Sequence, residues 1–413
     1  MLASIFSPKN TPSFESFDPK SLILSTDKLK LICSELVSKF EKELEFSPNS
    51  MLPTFIDRFP LGNEEGTFMA IDIGGTNIRL DLIALKKHKA PAFIANCTKP
   101  IPGSYKKGSG TKLFEFIALE IIGFLEGKKI EVFPLGFTFS FPLKQTSINS
   151  GHIFQWNKDF HCEDALMKDP VLLLQCALEK QGYPDLVKVS AIVNDTIATL
   201  LSGIYINSNA KIGLILGTGT NASYVEKTQK IASKIEGSFK SEYTLVNTEF
   251  GSTDINSMDF ISFLSTKYDQ LVDKNSANPG NQILEKMISG RYLGEIFSYI
   301  LVENGYLKEG DPFYTAIDMN AIERFLMVCS AISSRSAQLA ACVICALIIL
   351  SNNQCEDMTV VAIDGSIFEN YHKYAERLEQ AISSIIGSSK VKLIFCKDGS
   401  GIGAAIAASL YAS

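Results

Sequence analysis

Four short glycine-rich turns carry the clearest chemistry: Asp72-Ile-Gly-Gly-Thr-Asn, Gly217-Thr-Gly-Thr-Asn, Asp364-Gly-Ser and Asp398-Gly-Ser-Gly-Ile-Gly. Each follows an apolar run. Glycines in that position let backbone N–H groups approach a ligand, and the natural guest of such a nest is an anion. Any one of them alone is also what a tight structural turn looks like. Four together, two with threonine hydroxyls beside the glycines, read as a polyphosphate cradle. It is not a Walker A loop, because no GxxxxGK[ST] occurs. Nor is it a dinucleotide fingerprint. The one GxGxxG-like stretch begins at Gly399, too close to the C-terminus for a following βαβ unit.

Asn194-Asp195 closes the apolar run VKVSAIVN. A carboxylate at the C-terminal end of a strand in an open α/β sheet stands where ligands bind. Two roles fit it: a cap for a helix starting at Thr196, or a general base that takes a proton from an attacking hydroxyl. Lys158, in QWNKDF, is either a surface lysine or a cation for a transferring phosphoryl group. Glu249 in VNTEFGS and Glu285 in NQILEK could accept hydrogen bonds from a polyol, or could simply be solvated or capping. His88, His152, His161 and His372 show no metal-ligand or triad spacing. Cys342 and Cys345 have CxxC spacing inside the apolar run AACVICALIIL, which reads as a buried helix rather than a zinc or redox site.

The elements that must position these residues alternate. An amphipathic helix is expected over Ser25–Leu44, and a loop over Ser47–Glu65. TFMAIDIGGTNIRLDLIAL reads as a hairpin turning at Gly74 and Gly75. KIGLILGTGTNASYV repeats that pattern, with IDIGGTN aligning over LILGTGTN. One such recurrence at half-chain distance suggests two similar lobes facing each other. Between them lie the strand VFPLGFTFSFPL, a polar loop to Phe160, a helix over Asp164–Gln181 and the strand ending at Asn194. Later helices are expected at 254–266, 282–304 and 320–350. A strand follows at TVVAID, then a strand-to-helix turn at KDGSGIGAAIAAS. The alternation specifies α/β architecture.

Composition limits the partners. The 413 residues hold 39 Lys+Arg against 45 Asp+Glu, a net charge of −6, which argues against a nucleic-acid backbone as partner. Hydrophobic residues at 46% suffice for large cores and exclude disorder across the whole chain. The strongest apolar stretch, Ala337–Leu350, is too short to span a bilayer, and no membrane partner is expected. Nine irregularly spaced cysteines, an odd number, fit a reducing compartment, and the expected location is cytoplasmic. The N-terminus has no basic segment followed by an apolar one, so no secretory signal is read there.

In order, these stretches resemble the hexokinase family of the actin-like sugar kinase superfamily. The resemblance covers most of the chain and rests on AIDIGGTNIRL, GFTFSFPL, INSGHIFQWNKDF, VNDT, LGTGTNASY, VNTEFGS, NPGNQILEKMISGRYLGE, AIDGSIFENY and KDGSGIGAA. It implies an actin-like, ribonuclease H-like fold of two lobes closing over a cleft. The expected small lobe is residues 66–194 with the C-terminal helix 402–413. The large lobe is 14–65 with 195–401, after a flexible tail over 1–13. It implies transfer of the γ-phosphoryl group of ATP-Mg to the 6-hydroxyl of a hexose such as glucose, with Asp195 as general base and Lys158 beside it. Ser140, Asn157, Lys158, Asn194, Asp195, Asn221, Glu249, Gln282 and Glu285 match sugar-holding positions. Asp72, Gly74, Gly75, Thr76, Asn77 and Arg79 match the first phosphate turn, with Asp72 near Mg2+. Gly217, Thr218, Gly219 and Thr220 match the second. Gly365 and Ser366, with Asp398, Gly399, Ser400 and Gly401, match the adenosine side. No protein residue is expected to bind the metal directly. Monomer and homodimer both remain open.

The chain departs from the family pattern around the sugar. Asn157 stands where the family has threonine and Asp159 where it has glycine, so the loop loses flexibility and gains charge. The stretch from Glu295 to the helix near Arg335 is also short. Two further readings therefore stand beside the hexokinase: an N-acetylglucosamine kinase, and a sugar-binding regulator with little turnover. Retention of Asp195, Lys158 and all four glycine turns argues against the regulator.

Overall fold

Two apolar runs, each broken by a glycine turn, build two sheets on one plan. The computed structural model describes residues 17–128, 132–156, 158–235, 241–252, 261–304, 319–351, 358–387 and 390–412. The strands are β1 (Leu52–Pro53), β2 (Gly66–Ile73), β3 (Asn77–Leu85), β4 (Ala92–Pro100), β5 (Phe133–Phe139), β6 (Leu143–Ser147), β7 (Ser150–Ile153), β8 (Val187–Val193), β9 (Ala210–Leu216), β10 (Thr220–Lys227), β11 (Tyr243–Asn247), β12 (Thr359–Asp364) and β13 (Val391–Phe395). One sheet has the order β4-β3-β2-β5-β8, the other β1-β11-β10-β9-β12-β13. In each, a glycine-turned hairpin (β2–β3, β9–β10) is antiparallel, and the hairpin's first strand pairs in parallel with a later one (β5, β12). The recurrence of IDIGGTN as LILGTGTN is thus a recurrence of topology.

The parallel strands β5, β8 and β12 are buried along nearly their whole length, because helices cover both faces of a parallel arrangement. The first sheet packs with Gly110–Leu125 and Pro170–Lys180 around Phe137, Ile117 and Leu174. The second shares a larger core with Thr26–Phe46, Met319–Leu350 and Tyr374–Ile386. Helices Asp195–Ile206 and Gly399–Tyr411 pack against each other and join residues of both sheets in a third core. Glycine permits that approach: a Cβ on Gly403 would lie 1.7 Å from the carbonyl oxygen of Ala198.

Several elements differ from expectation for physical reasons. The helix expected over Asp164–Gln181 is a short 3-10 turn, Glu163–Ala165, followed by Pro170–Lys180. Pro170 has no N–H to donate and opens the helix, and Asp169 caps it by accepting from the Val171 amide at 2.8 Å. The polar loop before Phe160 contains the hairpin β6–β7. The helix expected over 282–304 breaks at Ser289 into Ile283–Ile288 and Gly290–Glu303. Of the helix expected at 254–266, only Ile261–Leu264 falls within the described helix, and the tail 1–13 and residues 253–260 lie outside the described residues. The apolar run at Ala337–Leu350 belongs to a longer helix. Its Phe325–Leu350 portion is long and apolar enough to cross a membrane, yet 83% of its apolar window is buried inside the protein. Cys342 and Cys345 are fully buried there, and their thiols face the carbonyls of Leu29 and Ile382.

Candidate active site

Sheet ends place the polar residues. β8 ends at Val193; Asn194 then caps helix Asp195–Ile206, its side chain accepting from the Thr196 amide at 3.0 Å and the Thr196 hydroxyl at 2.9 Å. Asp195 is the first residue of that helix, and its Oδ1 accepts from the same amide at 2.8 Å. The capping role thus falls to Asn194, and Asp195 is left facing a cavity. That cavity is lined by Ser140, Pro142, Lys158, Asn194, Asp195, Ile215, Gly219, Thr220, Asn221, Glu249, Gln282 and Glu285. Every sequence-expected sugar residue within the described set lines it; Asn157 lies outside that set.

The floor is a polar network. Asn221 donates to Asn247 Oδ1 at 2.9 Å and to Glu249 Oε1 at 3.1 Å, and Asn247 donates to the same Glu249 oxygen at 2.8 Å. Glu249 has a left-handed backbone, φ 47°. Desolvation raises its pKa, the Asn247 and Asn221 bonds oppose that, and the Asp195 charge adds to it. Glu285 is raised to about 7, chiefly by desolvation, with Lys158 opposing. Gln282, also left-handed, accepts from Asn278 at 2.7 Å. Ser140 is 4% exposed, and its Oγ has no hydrogen-bond partner. The Ser140 carbonyl accepts from Lys158 Nζ at 2.8 Å.

The four glycine turns converge in pairs. In the first, the Gly74 amide closes onto the Asn77 carbonyl at 3.1 Å, leaving Thr76 and Asn77 exposed. In the second, the Gly217 amide closes onto the Gly219 carbonyl at 3.0 Å, and the Thr220 hydroxyl bonds back to Ile215. Gly365, at φ 120°, lies against the second turn: a Cβ there would be 2.3 Å from the Leu216 carbonyl oxygen. Ser366 is exposed beside it. The fourth turn meets the first. Asp398 pairs with Arg79 at 2.8 Å, and Ser400 donates to Asp72 at 2.7 Å, while Gly399, Ser400 and Gly401 are buried. Asp72 keeps one buried oxygen without a partner, and desolvation raises its pKa. A buried carboxylate oxygen free to accept is the hard donor that a hydrated Mg2+ requires.

Three contributors escaped the sequence reading. Asn247 ties Asn221 to Glu249, and its place in VNTEFGS was the available signal. Lys106 donates to the Gly75 carbonyl at 2.7 Å, steadying the first turn from 31 residues away. The break at Ser289 lets the Gly290 amide bond the Gly217 carbonyl at 2.9 Å.

Two family models described as hexokinase match this chain, one over residues 19–205 and the other over 211–310 and 307–410. The chain belongs to the hexokinase family. It is 35% identical to hexokinase-7 of Oryza sativa subsp. japonica, over 87% of this chain and 88% of that one. It is 34% identical to hexokinase-1 of Nicotiana tabacum, over 92% and 87%. With human hexokinase-1 the identity is 32%, over 90% of this chain but 46% of that protein. The structure of a hexokinase from Schistosoma mansoni complexed with glucose superposes with a TM-score of 0.83 at 30% identity, covering 95% of this chain and 97% of that one. The hexokinase fold and ATP-dependent phosphorylation of hexoses follow for this chain.

Proposed function

We propose that this hexokinase transfers the γ-phosphoryl group of ATP to the 6-hydroxyl of a glucose-like hexose bound between the two sheets. The carrying observation is the single cavity that gathers Asp195, Lys158, Ser140, Asn221, Glu249 and Glu285 beside the second glycine turn. Ser140, Asn194, Asn221, Glu249, Gln282 and Glu285 bind the sugar hydroxyls. Among them, the unpartnered Ser140 Oγ is free to bond one. Asp195, oriented by the Thr196 amide, takes the proton of the attacking hydroxyl. Lys158, held by the Ser140 carbonyl, offsets charge on the transferring group. Asn157 belongs to the same loop by its position. The turns at Gly74–Asn77 and Gly217–Thr220 hold the phosphates through backbone amides, with Gly365, Ser366 and Asp398–Gly401 on the nucleoside side. Asp72, with its unpartnered buried oxygen, would face a Mg2+ ion carried by the nucleotide, which would supply charge neutralisation at the phosphates. The small lobe in this reading is residues 66–194 with 402–413, the remainder from residue 14 to 401 being the large lobe. A cytoplasmic setting belongs to the same reading, since nine irregularly spaced cysteines fit a reducing compartment.

The test is ATP-dependent phosphorylation of glucose, mannose, fructose, glucosamine and N-acetylglucosamine by the purified protein. Glucose or mannose should rank first. N-acetylglucosamine ranking first would replace the assignment with an amino-sugar kinase, and no turnover of any of the five would overturn it.

A further inference from the structure

We propose that Asp159 and Arg291 form an ion pair across the cleft that positions the sugar loop, and with it Lys158, over the second phosphate turn. The inference rests on the site reading above. Asp159 follows Lys158 directly, and both residues hold left-handed backbones, at φ 66° and 55°. Such a conformation costs an aspartate what a glycine would not lose, so an offsetting contact is expected. Arg291 supplies it: its Nη1 lies 3.8 Å from Asp159 Oδ2.

Arg291 is itself anchored to the phosphate side. It is the second residue of helix Gly290–Glu303; the Gly290 amide bonds the Gly217 carbonyl at 2.9 Å, and the Arg291 amide faces the Thr218 carbonyl at 3.4 Å. Its guanidinium lies 5.6 Å from the centre of the Tyr292 ring, and Glu295 one turn on is the other carboxylate that feels its charge. The helix break at Ser289 therefore does two things. It seats Gly290 against the turn and aims a cation at the sugar loop. Both partners keep solvent contact, at 39% and 53% side-chain exposure, so the tie is modest and salt-sensitive. Asp159 and Arg291 are positioning residues that act through the sugar loop as a whole.

Trp156 makes the test direct. It is the one tryptophan of the chain, and its indole N–H donates to the Cys162 carbonyl at 2.8 Å within the sugar loop. Glucose is titrated against Trp156 fluorescence without nucleotide for wild type, Asp159→Asn, Arg291→Gln and the double variant. Each single change should weaken glucose binding about two- to fivefold, and the double variant should be no weaker than the worse single one. The difference should vanish at ~1 M salt. In steady-state assays KM for glucose should rise more than kcat falls. Additive single effects, or effects unchanged by salt, would overturn the pair. A wild type that binds and phosphorylates glucose while showing additivity sinks only this inference. A wild type that does neither sinks the site reading as well.

Discussion

Lys158 crosses so close to Gly75 that a Cβ added to that glycine would lie 2.9 Å from the lysine's own Cβ. The crowding atom is at the base of the side chain, so the lysine cannot swing aside and its backbone must move. Gly75→Ala should shift Lys158 and the phosphate turn together. A displacement near 1 Å at a reacting group costs up to about 100-fold in rate, and kcat should fall roughly 10- to 100-fold. Steady-state kinetics check this, with circular dichroism to show an intact fold. An unchanged kcat would mean that the turn and the lysine are not mechanically linked.

Ser140 separates binding from stability. Its hydroxyl is buried without a partner, a state that is costly until something bonds to it. Ser140→Ala should leave the ligand-free protein as stable or slightly more so, while weakening glucose binding about two- to tenfold. Thermal melts with and without glucose measure both. A variant that loses stability without sugar but binds it normally would place the hydroxyl in the fold rather than the site.

The pair Arg335–Asp269 is structural. Both nitrogens of the fork bond both carboxylate oxygens, at 2.8 and 2.7 Å, with side-chain exposures of 1% and 3%. Asp269 also accepts from the Thr266 amide and hydroxyl at the start of helix Lys267–Asn275. Asp269→Asn leaves a buried guanidinium without its counter-charge and should cost about 3–5 kcal/mol in urea unfolding. A loss below about 1 kcal/mol would mean that water reaches Arg335.

Asp81 gives stability a pH dependence. It is 1% exposed with neither carboxylate oxygen bonded, and Gly401 lies close enough that a Cβ there would be 2.5 Å from Oδ2. Desolvation chiefly raises its pKa to about 7, with Arg79 opposing and Asp398 and Asp72 adding to the rise. The folded state thus binds this proton more tightly than the unfolded chain. The cost of Asp81 is absent below about pH 4, grows as pH rises to about 7 and is constant above. Asp81→Asn should therefore stabilise the protein by on the order of 2–4 kcal/mol at pH 8 and by little at pH 4. Denaturation at the two pH values checks it; a gain independent of pH would contradict it.

The parts of this protein that sequence exposes are those where local chemistry and local geometry coincide. The glycine turns were legible because an apolar strand stops at Gly74 or Gly217, and the sugar residues because their motifs keep the order of a known family. Long-range pairings were not legible. Nothing near Gly75 announces Lys106, and nothing near Asp159 announces Arg291. The break at Ser289 was hidden because the apolar period runs through it from Leu284 to Ile296, and the turn that demands it lies at Gly217. Asp81 sits where the strand pattern of β3 puts an inward residue, so its type conflicted with its place. The hairpin β6–β7 is short and half-exposed, with too few apolar residues to show a period.

The central claim is that Asp195 removes the proton from the attacking sugar hydroxyl. It is tested by kcat for glucose phosphorylation and by glucose affinity, in the wild type and in Asp195→Asn. The variant should lose roughly 10²- to 10⁴-fold in kcat with glucose affinity changed only severalfold, because proton removal contributes to the transition state rather than to binding. An Asp195→Asn enzyme that keeps wild-type kcat would contradict the assignment.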